Sequence, residues 1–120
     1  MLRRPLLLAT LLGTVLQVAM VVAGHWSPAV KGLFAIGGMS LSLLAGLLFS
    51  RFARPVSPRA AMLGGLVAGA ACGFVGILVS YLLGDVPASL LAFGTMGSAV
   101  TGLIGGAVGG WTVGRRAATA

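Results

Sequence analysis

Catalysis and metal binding need side chains that ionise, attack or ligate, and this chain has few of them. Its 120 residues include one acid (Asp85), one His (His25), one Cys (Cys72) and one Tyr (Tyr81). A Ser or Cys nucleophile needs a base within reach. The hydroxyls of Thr10, Thr14, Ser40, Ser42, Ser80, Ser98 and Thr101 lie in apolar sequence without one. They are expected to bond back to their own backbone. A non-haem metal site normally takes three or four ligands, and no such cluster can be drawn. His25 could ligate a haem or chlorin metal axially, which keeps a pigment or haem open as a cofactor. Its setting, Gly24-His25-Trp26-Ser27-Pro28, reads instead as a solvated turn. A carboxylate at membrane depth would be functional by default, but Gly84-Asp85-Val86-Pro87 reads as a turn or helix N-cap. No catalytic or metal residue is assigned, and the expected function is non-enzymatic.

The elements that must position these groups follow from composition. Hydrophobic residues make up 58% of the chain, Gly adds 20 residues, and only 8% are charged. A soluble domain carries about 25% charged residues, because its surface faces water. The chain is therefore read as one integral membrane domain. Its net charge of +7 is divided among Arg3-Arg4, Arg51/Arg54/Arg59 and Arg115-Arg116, with Lys31 apart. These clusters flank apolar runs and form no stripe interleaved with aromatics, so membrane lipid is the expected partner and nucleic acid is not.

Four apolar runs, at 5–23, 30–49, 60–83 and 87–113, are each long enough to cross a bilayer as a helix. Continuous runs of Gly, Ala and Leu exclude a β-barrel, whose strands alternate. Pro28 and Pro87 stand where helices can begin, since a first turn does not need the missing N–H. The polar loop 51–59 is too short to be a soluble domain. Seven Lys or Arg fall on the side of both termini and this loop, against Lys31 on the other. That bias predicts cytoplasmic termini. Composition points to a bacterial inner membrane. Trp26 and Tyr81 are expected near the outer interface, Phe52 and Trp111 near the inner. Residues 3–23 also resemble a secretory signal with a small-residue cleavage site, but the run is long and contains Gln17, which favours a retained span.

Small residues recur every fourth position in the last three spans. The rows are Gly38/Ser42/Gly46/Ser50, then Ala61/Gly65/Gly69/Gly73 with Gly76 beyond, then Gly94/Ser98/Gly102/Gly106/Gly110/Gly114. A second row in the last span, Gly97/Thr101/Gly105/Gly109, runs beside the first. Helices in lipid associate by packing, and small residues let their backbones approach. The expected fold is an all-α four-helix bundle with glycine-zipper packing. The double row predicts two neighbours for the last span, one within the chain and the other in a second chain. Gly105→Leu with Gly106→Leu is then expected to abolish assembly but not insertion.

An internal repeat is also visible. A shift of 59 lays Pro28-Ala29 on Pro87-Ala88, Phe34 on Phe93, Gly38 on Gly97, Leu44 on Leu103 and Gly46 on Gly105. Two hairpins so related would be parallel repeats about an axis along the membrane normal. In size and span number the chain is similar to small multidrug transporters, but it has no Glu to match their membrane-embedded proton carrier. The expected function is a structural or accessory subunit, forming a homo-oligomer or a complex with other membrane proteins. The alternatives are a homo-oligomeric pore, holin-like or for a small solute, and a pigment- or haem-binding subunit.

Overall fold

The structure is a computed structural model that describes residues 3–119, with side chains through residue 112. Its helices are α1 (Arg3–Trp26), α2 (Pro28–Lys31), α3 (Phe34–Phe52), α4 (Pro58–Leu82) and α5 (Ser89–Thr119). Four of them are long and apolar enough to cross a membrane, and no strand occurs among the described residues. The protein is an all-α, multi-pass four-helix bundle. Gly114, Arg115 and Arg116 lie beyond the described side chains.

The helix boundaries differ from the apolar runs for local reasons. α1 continues through Gly24-His25-Trp26, expected to be a turn, because nothing there breaks a helix before Ser27. Ser27 precedes Pro28 and is extended (φ −129°, ψ 111°), as steric conflict with the proline ring demands. Pro28 starts the single turn α2, and Leu33 N–H bonding to Val30 O at 2.9 Å closes it before α3 begins. The second span is thus interrupted at Gly32-Leu33. Ser57 caps α4 by accepting from Ala60 N–H at 3.2 Å, with Pro58 in the first turn. Pro87 precedes α5 and accepts from Leu90 N–H at 3.1 Å.

Burial is the reverse of a soluble protein's. Phe49 is the largest fully buried side chain, and apart from Val21 and Gln17 the other buried residues are Ala, Ser, Cys and Gly. The large residues Leu7, Leu11, Val15, Phe74, Phe93 and Ile104 point outward. Lipid is as apolar as Leu, so burying Leu gains little; close backbone packing does.

α5 packs on α3 and α4, α1 packs on α3 and α4, and α3 touches α4, while α1 has no comparable contact with α5. The parallel pairs meet near the offset of the repeat. Gly13 meets Cys72 and Gln17 meets Gly76 between α1 and α4, while Met39 meets Gly97 and Ser50 meets Gly109 between α3 and α5. Each pair is separated by 58 or 59 residues in sequence. The symmetry is broken in tightness: the α4–α5 hairpin packs backbone on backbone, whereas α1 leans on α3 through side chains.

Candidate functional site

The first feature is the small-residue seam. α4 and α5 run antiparallel, and their rows meet rung by rung: Ala61 with Gly110, Gly65 with Gly106, Gly69 with Gly102, Gly73 with Ser98, and Ile77 with Gly94. A Cβ on Gly65 would overlap the Gly102 carbonyl oxygen, and one on Gly110 would lie 2.8 Å from the Ala61 Cβ. The second α5 row faces α3. A Cβ on Gly105 would overlap the Leu43 carbonyl, and one on Gly109 would come within 2.8 Å of the Ser50 Cβ. Ser50 also donates its hydroxyl across this contact to Gly106 O at 2.7 Å.

These contacts correct the expectation that one row serves a second chain. Both rows are covered by the chain's own α3 and α4, so Leu at Gly105 and Gly106 would strike the Leu43 and Ala61 carbonyls and disrupt the bundle itself. The α3 row also divides its labour. Gly38 and Ser42 contact Gln17 of α1, whereas Gly46 and Ser50 contact α5. Residues four apart advance by about 40° around a helix, so a row of four winds from one neighbour to the next.

The second feature is a buried polar cluster. Gln17 donates its amide N–H groups across to α3, to Gly38 O at 3.0 Å and Ser42 Oγ at 3.1 Å. The Gly38 carbonyl can only accept, which decides which end of the amide faces it. Gly76 makes room for this side chain: a Cβ there would sit 2.9 Å from the Gln17 Cβ. Cys72 donates to Gly69 O at 3.4 Å within its own helix. Of the hydroxyls expected to bond back to the backbone, Thr101 does so, to Gly97 O at 3.1 Å. Ser80 does not; its buried oxygen has no partner among the described residues, nor does that of Thr95.

Above this cluster, toward Asp85, the four long helices line a partly open cleft of about 140 Å³. Its wall includes Gln17, Ser80 and Ser98 among apolar residues such as Val21, Phe34 and Ile77. Met39, 45% exposed, stands at its edge where α3 faces α5.

The third feature lies at the end of the bundle. α4 closes with Gly84 at φ +79°, where Gly84 N–H bonds Tyr81 O at 2.9 Å and Asp85 N–H bonds Ser80 O at 3.0 Å. This paired pattern uses the left-handed conformation that glycine adopts without strain. It turns Asp85 toward the other loop. There Asp85 accepts from His25 Nδ1 at 2.9 Å and from Lys31 Nζ at 3.1 Å. The His25 hydrogen bond, helped by Lys31 and opposed by partial desolvation, holds the Asp85 carboxyl below its ordinary range. Asp85 is in a turn, as its sequence implies, but His25 and Lys31 are held by it rather than simply solvated. The His25 ring meets Trp26 edge-on, with centroids 5.3 Å apart.

No protein family, curated protein or solved structure matches this chain. Function has to be argued from the three features themselves. Among the described residues no three His, Cys, Asp or Glu side chains gather to hold a metal ion. Sequence reasoning missed two things. It did not pair Asp85 with His25 and Lys31, although opposite charges in the two loops on one side were a usable signal. It also overlooked glycines that make room for rings: a Cβ on Gly64 would strike Phe49, and one on Gly24 would strike Phe34. The Gly64-Gly65 doublet was the only hint.

Proposed function

We propose that this protein is a small non-enzymatic subunit of a bacterial inner membrane, with cytoplasmic termini, that joins itself or a larger membrane complex. One observation carries the reading. Phe93, Met96, Val100, Ile104 and Val108 form an exposed apolar ridge along α5, the helix that α3 and α4 grip most closely on its other faces. The ridge is therefore presented on a rigid support, and little of its ordering cost is left for binding. The seven-to-one distribution of Lys and Arg supports the orientation.

The pore reading loses its motivation, because the glycine faces that would line a ring are spent inside the chain. A haem or pigment at His25 has little support, because the partly open cleft between the helices, about 140 Å³, is below the roughly 300 Å³ lower bound of common ligand pockets and His25 does not line it.

Native mass spectrometry of protein extracted gently from its own membranes tests the proposal. The expected result is a stoichiometric complex, lost in Ile104→Ala/Val108→Ala while the variant's unfolding curve shifts little. A monomer from wild-type membranes would overturn it. A homo-oligomer that also leaks solute from liposomes would replace it with the pore.

A further inference from the structure

A second depression lies on the outside of the bundle, at the end that holds the loop 51–59. Leu44, Leu47, Leu48 and Arg51 of α3 and Thr112 of α5 line an open groove of about 300 Å³. The four α3 residues are spaced i, i+3, i+4 and i+7, so they share one face of the helix. Three leucines thus run along membrane depth and end on a guanidinium. The small-residue rows stop at this level. Ser50 and Gly109 form a close rung between α3 and α5; four residues on, the rows continue as Arg54 and Val113, which are too large to repeat it.

Charge decides what the groove takes. The one side-chain carboxylate in the chain, Asp85, is already held by His25 and Lys31. The helix α4, 25 residues and so about 37 Å long, separates it from the loop 51–59. No ion pair among the described residues involves an arginine. An anion for Arg51, Arg54 and Arg59 therefore comes from outside the chain's own side chains. Thr112 gives its hydroxyl proton to Gly109 O at 3.0 Å, so Arg51 is the donor that the groove offers. A guanidinium matches the oxygens of a phosphate in a planar fork. A free phosphate would leave the leucines uncovered, whereas a phospholipid covers them with an acyl chain. A zwitterionic lipid brings the same phosphate, but its ammonium group would join an end of the bundle rich in arginine and without a carboxylate side chain.

We propose that this groove binds one anionic phospholipid, with its phosphate on the Arg51 guanidinium and an acyl chain along Leu44, Leu47 and Leu48. Basic pockets between membrane helices hold anionic headgroups in this way. The site is independent of whatever partner meets the α5 ridge.

Native mass spectrometry of the full chain in micelles tests this, with phosphatidylglycerol and phosphatidylcholine of the same acyl chains in competition. One phosphatidylglycerol is expected to bind saturably, about tenfold more tightly than phosphatidylcholine, the factor of one charge-assisted hydrogen bond. Arg51→Gln should make the two lipids bind about equally. Arg59→Gln removes the same charge from the first turn of α4, outside the groove, and should leave the preference intact. Inorganic phosphate in excess should not displace the lipid. Equal binding of the two lipids to the wild-type chain would overturn the proposal, whether or not either variant folds. So would serial adducts without saturation, or equal losses in the two variants, since both report the net charge of this end alone. Displacement by inorganic phosphate would overturn it as well, because the leucines would then play no part.

Discussion

Gly69 and Gly102 meet with no side chain between them: a Cβ on Gly69 would lie 2.7 Å from the Gly102 Cα. This contact is the middle rung of the α4–α5 seam. Backbone atoms cannot swing aside as a side chain can, so this rung tolerates Gly and little else. Packing of this kind adapts poorly to any added side chain.

Gly102→Ala is expected to destabilise the bundle by about 1–3 kcal/mol, the usual cost of overpacking, because its Cβ would strike the Gly65 carbonyl oxygen. Gly97→Ala is the matched control. Its Cβ meets the mobile end of Met39 at 3.0 Å, and the Ala gains helix propensity. The second variant should unfold at or above the wild-type denaturant concentration. Far-UV circular dichroism in micelles checks both.

Gln17→Leu removes the two hydrogen bonds from the Gln17 amide that tie α1 to α3 while keeping side-chain bulk. A loss of about 1 kcal/mol is expected, in the range measured for hydrogen bonds between membrane helices. Amide exchange should quicken along α1 and stay slow in the α4–α5 seam. Uniform quickening would mean that α1 and the seam unfold together.

Gly84→Ala separates backbone conformation from packing. No atom lies within 4 Å of a Cβ at this position, but φ is +79°. The expected cost is about 1 kcal/mol from the left-handed conformation alone, and Gly84→Asn should recover part of it. Thermal unfolding of the two variants compares them directly.

The Asp85 clip has a defined pH dependence. Its carboxyl titrates below the ordinary value of 3.8 in the folded protein, so its contribution is complete above that value and is lost as pH falls through the lowered one. The wild-type midpoint should drop more steeply than that of Asp85→Asn on strong acidification. The two curves should keep a constant separation above the ordinary carboxylate range. Parallel curves throughout would mean that the clip does not contribute.

Four spans, a short central loop and the small-residue rows were legible in the sequence because each follows from local facts. Twenty apolar residues make a span, and a glycine every fourth position makes a face free of side chains. Partners were not legible. The Gly94 row and the Gly97 row look equally available to a second chain until α4 and α3 are seen lying on them. Gly38 and Gly46 share one row and touch different helices, because a four-residue step drifts around the helix by about 40°.

By itself the sequence determined a membrane-spanning all-α chain rich in close-packing surfaces, since hydropathy and period belong to single segments. The tertiary structure alone decided that those surfaces are spent internally, that Asp85 gathers His25 and Lys31, and that Gln17 bonds across to Gly38 and Ser42. These are relations between segments up to 60 residues apart. They depend on how far each helix rotates and leans, which no single segment encodes.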